Sequence, residues 1–198
     1  MISAQFDKEH PQLLLKNLIL RNNHLQTILS LSCQLRLPNW YLGAGCIAQT
    51  VWNLVHDYPP EKNIKDIDIA YYDPDLSYEG EDKHIRAVRT LLDDIPIELD
   101  VKNQARVHLW FKDRFGYEIE PCRSVEEAIT TWPTTSTCVG VRIRNGKFLV
   151  YAPYGLDDLF NMIVRPNKKQ ITEEIYLNKV NRWKECWPQL TIIDWNEE

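Results

Sequence analysis

"KDIDIAYYD", residues 65–73, sets Asp66 and Asp68 one residue apart inside an otherwise apolar, β-prone run. Side chains two apart on a strand share a face and lie roughly 7 Å apart along it. The two aspartates therefore project together, while Ile67 and Ile69 face the other way into packing. A second run, "IPIELDVKN" at 95–103, reads as another strand with Glu98 and Asp100 on one face. Paired in register, the two strands bring three or four carboxylates onto one small area. Like charges that close repel and raise one another's pKa values unless a cation intervenes. With two Mg²⁺ ions about 3.5–4 Å apart, the same cluster suits in-line phosphoryl or nucleotidyl transfer. The plain alternative is an Asp-x-Asp at a strand end facing solvent, and a lone Asp-x-Asp is common. The motif needs support from elsewhere in the chain.

That support lies upstream. "YLGAGCIAQTVW", residues 41–52, places Gly43 and Gly45 between a short strand and the start of a helix. Free backbone N–H groups and the positive end of the helix dipole suit a phosphate there, and small residues let the chain approach it closely. A tight turn needing positive φ explains two glycines equally well. The stretch is neither Gly-x-Gly-x-x-Gly nor a Walker A loop. What gives it value is the order: glycine turn, helix, Asp-x-Asp strand, then a carboxylate on another strand.

Around this centre the pattern is mixed. Residues 11–21 and 23–36 carry leucines and isoleucines at helical spacing, giving an N-terminal helical part over 1–37. Residues 80–94 and 104–116 read as helices, the second closed by Gly116. Ser124 and Glu127 have capping-box spacing. "TCVGVRIRNGKFLVYAP", 137–153, is two alternating runs around Asn145-Gly146, a type I′ hairpin signature. Residues 155–164 and 172–187 read as the last helices, with Asp157 and Asp158 favouring a helix start. The expectation is one α/β domain, residues 1–198, with helices packed on a mixed sheet.

Composition narrows the function classes. Of 198 residues, 44% are hydrophobic and 26% charged, as in an ordinary globular chain. Seven Trp and nine Tyr predict a core or cleft with aromatic walls. A net charge of −5 argues against non-specific binding to duplex DNA. The five cysteines form no Cys-x-x-Cys pair and no zinc spacing. The N-terminal residues hold no apolar signal segment, and no window approaches a membrane span. A cytoplasmic protein is expected.

The order of motifs resembles the nucleotidyltransferase superfamily of the DNA polymerase β type. More narrowly, "GAGCIAQTVWN", "DIDIAYYD", "DVKNQARVHLW", "EEAITTWPTTSTCVGVR" and "YAPYGLDDLFNMIVRPN" are similar to a bacterial nucleotidyltransferase-like family first defined as a domain of unknown function. The resemblance runs from about residue 40 to the C-terminus and implies the nucleotidyltransferase α/β fold. It implies that Asp66, Asp68 and Asp100 are catalytic and hold Mg²⁺ or Mn²⁺, with Glu98 in reserve for Asp100. Gly43, Gly45 and Cys46 would grip the triphosphate of an NTP, Gly45 and Cys46 taking the Gly-[Gly/Ser] place. The implied reaction moves a nucleoside monophosphate to a hydroxyl on a small molecule, protein or RNA end. Two departures stand out: Cys46 in place of Gly or Ser, and a long spacing to Asp66.

Other polar residues carry two readings. Arg106 suits a phosphate or a salt bridge to the carboxylate cluster, and His108 beside Leu109 and Trp110 suits a core histidine. "TTSTC", 134–138, offers hydroxyls for phosphate or ribose, or β-branched strand formers. Arg142 and Arg144 share a hairpin face, and "RPNKK", 165–169, is a basic cluster or a loop. Two functions rival the transferase. One is a catalytically inactive module that keeps the fold for binding. The other is a thiol enzyme using Cys46, whose helix N-terminal position lowers a thiol pKa.

Overall fold

A computed structural model describes residues 10–197 of the chain; residues 1–9 of the expected N-terminal helical part lie outside it. Two helices open it, α1 (Pro11–Ile19) and α2 (Asn23–Ser30). Asn22 starts the second, its side-chain oxygen accepting from the N–H groups of His24 and Leu25. The helical pattern read as far as residue 36 ends six residues earlier, at Ser30.

Strand β1 (Tyr41–Gly43) then runs directly into helix α3 (Gly45–Val55). Strand β2 (Asp66–Tyr71), helix α4 (Tyr78–Leu91) and strand β3 (Glu98–Asn103) follow as a parallel crossover unit. Helix α5 (Val107–Phe115) ends where Gly116 takes φ +85°, and helix α6 is Val125–Ile129. Strands β4 (Gly140–Arg144) and β5 (Lys147–Tyr151) form the expected hairpin. Both turn residues, Asn145 and Gly146, have positive φ, at 53° and 72°, as a type I′ turn requires. Helix α7 (Asp157–Phe160) is a single turn, shorter than its apolar pattern suggests. Strand β6 (Ile163–Val164), helix α8 (Glu173–Cys186) and strand β7 (Thr191–Ile192) complete the chain.

The five-stranded sheet has the order β3-β2-β1-β4-β5, parallel only between β2 and β3. This is the mixed α/β architecture expected from the sequence. Strands β6 and β7 pair as a separate small sheet that the sequence pattern did not suggest.

Alternation along β2 and β3 sorts their side chains. Ile67, Ile69, Leu99 and Val101 are buried in the main core with Ile47, Val51 and Trp52 of α3. Leu15, Ile19, Leu25 and Ile28 of the first two helices join the same core. Helix α8 is fastened to α3 by aromatic contacts: the rings of Trp183 and Trp187 lie 5.2 and 5.5 Å from Trp52. The Trp187 indole N–H also donates to Asn53 Oδ1 at 2.8 Å. These contacts matter for function, because they fix which face α8 turns toward the sheet.

Candidate active site

The other face of β2 and β3 is open. Parallel pairing sets Asp66 opposite Glu98 and Asp68 opposite Asp100. Antiparallel pairing sets Gly43 opposite Asp68, so the glycine turn and the carboxylates meet at one place. Asp66, Asp68 and Asp100 all line a cleft of about 600 Å³, together with Ala44 and Gly45 of the turn. Glu98, held in reserve from sequence, is exposed and not among the cleft residues.

The carboxylates are electrostatically stressed. Burial, then the charges of Asp100 and Asp66, push the Asp68 carboxyl up to about 7, against the pull of Lys102 and Lys179. Lys102 is ion-paired with Asp100. Lys179 reaches in from α8, and burial lowers its pKa although Asp68 and Asp66 oppose that shift. Opposite the sheet, Ile175, Asn178, Lys179, Arg182 and Trp183 line the cleft. Their spacing is one face of α8. Trp110 and Arg114 of α5 line another wall, with Arg114 about 6.0 Å from the Trp110 ring centroid.

The turn is tightly built. Ala44 has φ 58° and ψ −131°, a conformation costly for any residue but glycine. Its N–H donates to the Val139 carbonyl at 3.1 Å, tying the turn to the start of the hairpin segment. Gly43 is not a cleft residue. A Cβ there would stand 2.7 Å from the Trp132 ring and 2.8 Å from the Val139 carbonyl oxygen. Its smallness is required by packing against Trp132 and Val139, a reason independent of any phosphate. Gly45 does line the cleft, at the first position of α3.

Cys46 departs from expectation as well. It is 1% exposed, and its thiol donates to the Gly43 carbonyl at 3.1 Å. Burial and the Asp68 charge push the thiol pKa well up, outweighing the helix N-terminus. A thiolate nucleophile is therefore disfavoured, and Cys46, like Gly43, is not among the residues lining the cleft.

Arg106 is likewise displaced from its assigned role. It is ion-paired with Glu81, its Nε donates to the Leu76 carbonyl at 3.1 Å, and it is not among the cleft residues. The bridge to the carboxylate cluster does not form, because Glu81 takes the guanidinium instead. The 134–138 segment is a tight 3-10 turn over Thr135–Thr137, not a strand. The Thr134 and Thr137 hydroxyls bond each other at 2.8 Å, and Thr135 donates to Asp158 at 2.6 Å. Arg142 lies 4.2 Å from the Tyr41 ring centroid and 3.8 Å from Glu126, so its guanidinium is held in place. Lys168 and Lys169 of the basic cluster border a second groove of about 470 Å³ that meets the cleft at Cys122, Thr131, Gln170 and Ile171.

A family model described as "Nucleotidyltransferase" matches residues 31–192. The chain belongs to this nucleotidyltransferase family. Among solved structures, it is similar to a protein whose NMR structure is described as revealing a CCA-adding enzyme head domain. That similarity has 26% identity, a TM-score of 0.73, and covers 95% of this chain and 96% of the other. No match was found among curated proteins.

The nucleotidyltransferase carboxylates suit a divalent cation in kind, since Asp66, Asp68 and Asp100 offer the hard oxygens that Mg²⁺ and Mn²⁺ take. As they lie, with Lys102 on Asp100, no group of three or more His, Cys, Asp or Glu among the described residues encloses an ion. Among the same residues, no helix is long and apolar enough to cross a membrane.

Proposed function

We propose that this nucleotidyltransferase transfers a nucleoside monophosphate from an NTP to a hydroxyl-bearing acceptor, with Mg²⁺ or Mn²⁺ held by Asp66, Asp68 and Asp100. The observation that carries this reading is the register pairing Asp68 with Asp100 beside the glycine turn, on the floor of one cleft. Bound there, the divalent cation would neutralise phosphate charge and make the acceptor hydroxyl more acidic.

The chain's own groups supply the remainder. Backbone N–H groups of Gly45 and Cys46, at the start of α3, are free of any side-chain cap and suit the triphosphate. Lys179, Arg182 and Arg114 give the opposite walls positive charge. Trp110 and Trp132 line the same space and offer aromatic surface for a base. Asp100 is suited to accept the acceptor's proton once Lys102 moves off it. Catalysis would rest on positioning and charge neutralisation, with pyrophosphate leaving in line with the attacking oxygen. The acceptor is a small molecule, a protein side chain or an RNA end. The likeness to a CCA-adding enzyme head domain makes CTP and ATP the first nucleotides to try.

The test is incubation with α-labelled NTPs, Mg²⁺ or Mn²⁺ and a cell extract, comparing wild type with Asp66→Ala/Asp68→Ala. Label transfer lost in the double variant is expected. Transfer that persists would refute the assignment. NTP binding that is indifferent to both the metal and these aspartates would favour a non-catalytic binding module.

A further inference from the structure

Gln49 stands four residues after Gly45 on α3, on the same side of the helix. Helical side chains lean toward the N-terminus, so its carboxamide lies back over the first turn. Gly45 makes room for it: a Cβ at 45 would stand 2.8 Å from Gln49 Nε2. Gln49 is 4% exposed and lines the cleft, yet its side chain bonds to no described residue. Its amide atoms are not among the fully enclosed polar atoms that lack a partner, so they open on the cleft, where a ligand's acceptor would take the place of solvent.

The surroundings indicate what would complete it. The first N–H groups of α3 have no intrahelical acceptor, and Ala44, at the cap position, has no side chain that could serve. The Gln49 amide therefore sits beside a cluster of unsatisfied donors at the positive end of an eleven-residue helix. Lys179 and Arg182 face the same space from α8. A donor set of this kind fits an anion of tetrahedral oxygens.

We infer that Gln49 is a substrate-positioning residue whose Nε2–H₂ donates to the phosphate chain of the nucleotide, on the segment that departs as pyrophosphate. The inference deepens the nucleotidyltransferase reading and rests on it. When the acceptor oxygen bonds the α-phosphorus, the bond to the bridging oxygen breaks and its electron pair goes to the pyrophosphate. Charge grows on the oxygens Gln49 faces, so its bond strengthens as the reaction proceeds.

The experiment measures binding of Mg²⁺-CTP, Mg²⁺-ATP and Mg²⁺-pyrophosphate to the full chain by calorimetry, with Tm measured in parallel. The proteins are wild type, Gln49→Met, Gln49→Glu and Asp66→Asn/Asp68→Asn. Gln49→Met should weaken both nucleotide and pyrophosphate on the order of tenfold or more, and Gln49→Glu further, by placing a carboxylate against phosphate. Because Met fills the same space without an unpaired amide, Tm of Gln49→Met should hold or rise. A purely structural glutamine would lower it. Unchanged pyrophosphate affinity in Gln49→Met, or a loss of Tm matching the loss of binding, overturns the inference while leaving the transferase reading intact. Nucleotide binding indifferent to Asp66→Asn/Asp68→Asn overturns that reading instead. Should the wild-type chain bind neither nucleotide nor pyrophosphate, both fall together.

Discussion

Two polar clusters flank the strand pair β2 and β3, and they are built on opposite terms. At the C-terminal ends, Asn103 is 1% exposed and all its capacity is used. Its amide donates to the carbonyls of Asp73 and Asp75 at 2.9 and 3.1 Å. Its oxygen accepts from the N–H groups of Asp73 and Ala105 at 3.0 and 3.1 Å. Glu81 accepts from the Asn103 N–H at 2.9 Å and pairs with Arg106, closing the network. In the cleft, by contrast, Asp68 is crowded by like charges, Gln49 bonds to no described residue and α3 begins without a side-chain cap. A polar group satisfied by its own chain is holding the fold.

That contrast can be broken by substitution, and the largest effect on stability belongs to the closed cluster. Asn103→Ala strands two donors and two acceptors, and should cost about 4 kcal/mol, read by urea denaturation. Gly43→Ala comes next, at about 2–3 kcal/mol, because its new methyl meets the Trp132 ring and the rigid Val139 carbonyl. A cost below about 0.5 kcal/mol would mean that Trp132 moves aside freely.

The open cluster should behave in the reverse sense. Asp68 has its pKa raised from 3.8 to about 7, so between those values the folded chain binds more protons than the unfolded one. Stability from this group is therefore lost as pH rises from about 4 to about 7. Asp68→Asn should flatten that fall and raise Tm at pH 8 by a few degrees, though it removes a proposed metal ligand. Added Mg²⁺ should stabilise wild type more at pH 8 than at pH 5. An equal gain at both pH values would disconnect the cation from these carboxylates. The smallest effect is expected of Ala44→Gly, a gain of about 1 kcal/mol from relief of the positive-φ conformation. A loss would mean the Ala44 methyl packs better than its backbone suffers.

Much of this was legible in the sequence because it depends on near neighbours. The period of two in "DIDIAYY" and "IELDVKN" put Asp66, Asp68 and Asp100 on strand faces, and Asn145-Gly146 announced its own turn. The partner of Arg106 is not legible in the sequence, because proximity to Asp100 along the chain says nothing about the curl after β3, which carries it toward Glu81. Residues 175, 178, 179, 182 and 183 of α8 form a helical stripe whose cations line the cleft, but the pattern alone does not say what that stripe faces. Only the Trp52 contacts of Trp183 and Trp187 reveal which side of that helix meets the sheet. Gln49 gave no signal beyond its distance of four from Gly45. Its lack of a partner is a property of the folded surroundings.

Local chemistry, then, fixed the strands, the hairpin, the glycine turn and the identity of the acidic side chains, since each follows from steric preference and alternation over a few residues. Folding in three dimensions decided which groups face one another: Asp68 against Asp100, Lys179 across the cleft, Cys46 shut into the core, Gln49 left unpaired. Charge and burial act through space between residues as far apart as 68 and 179, and their strength depends on distance and solvent rather than on position along the chain.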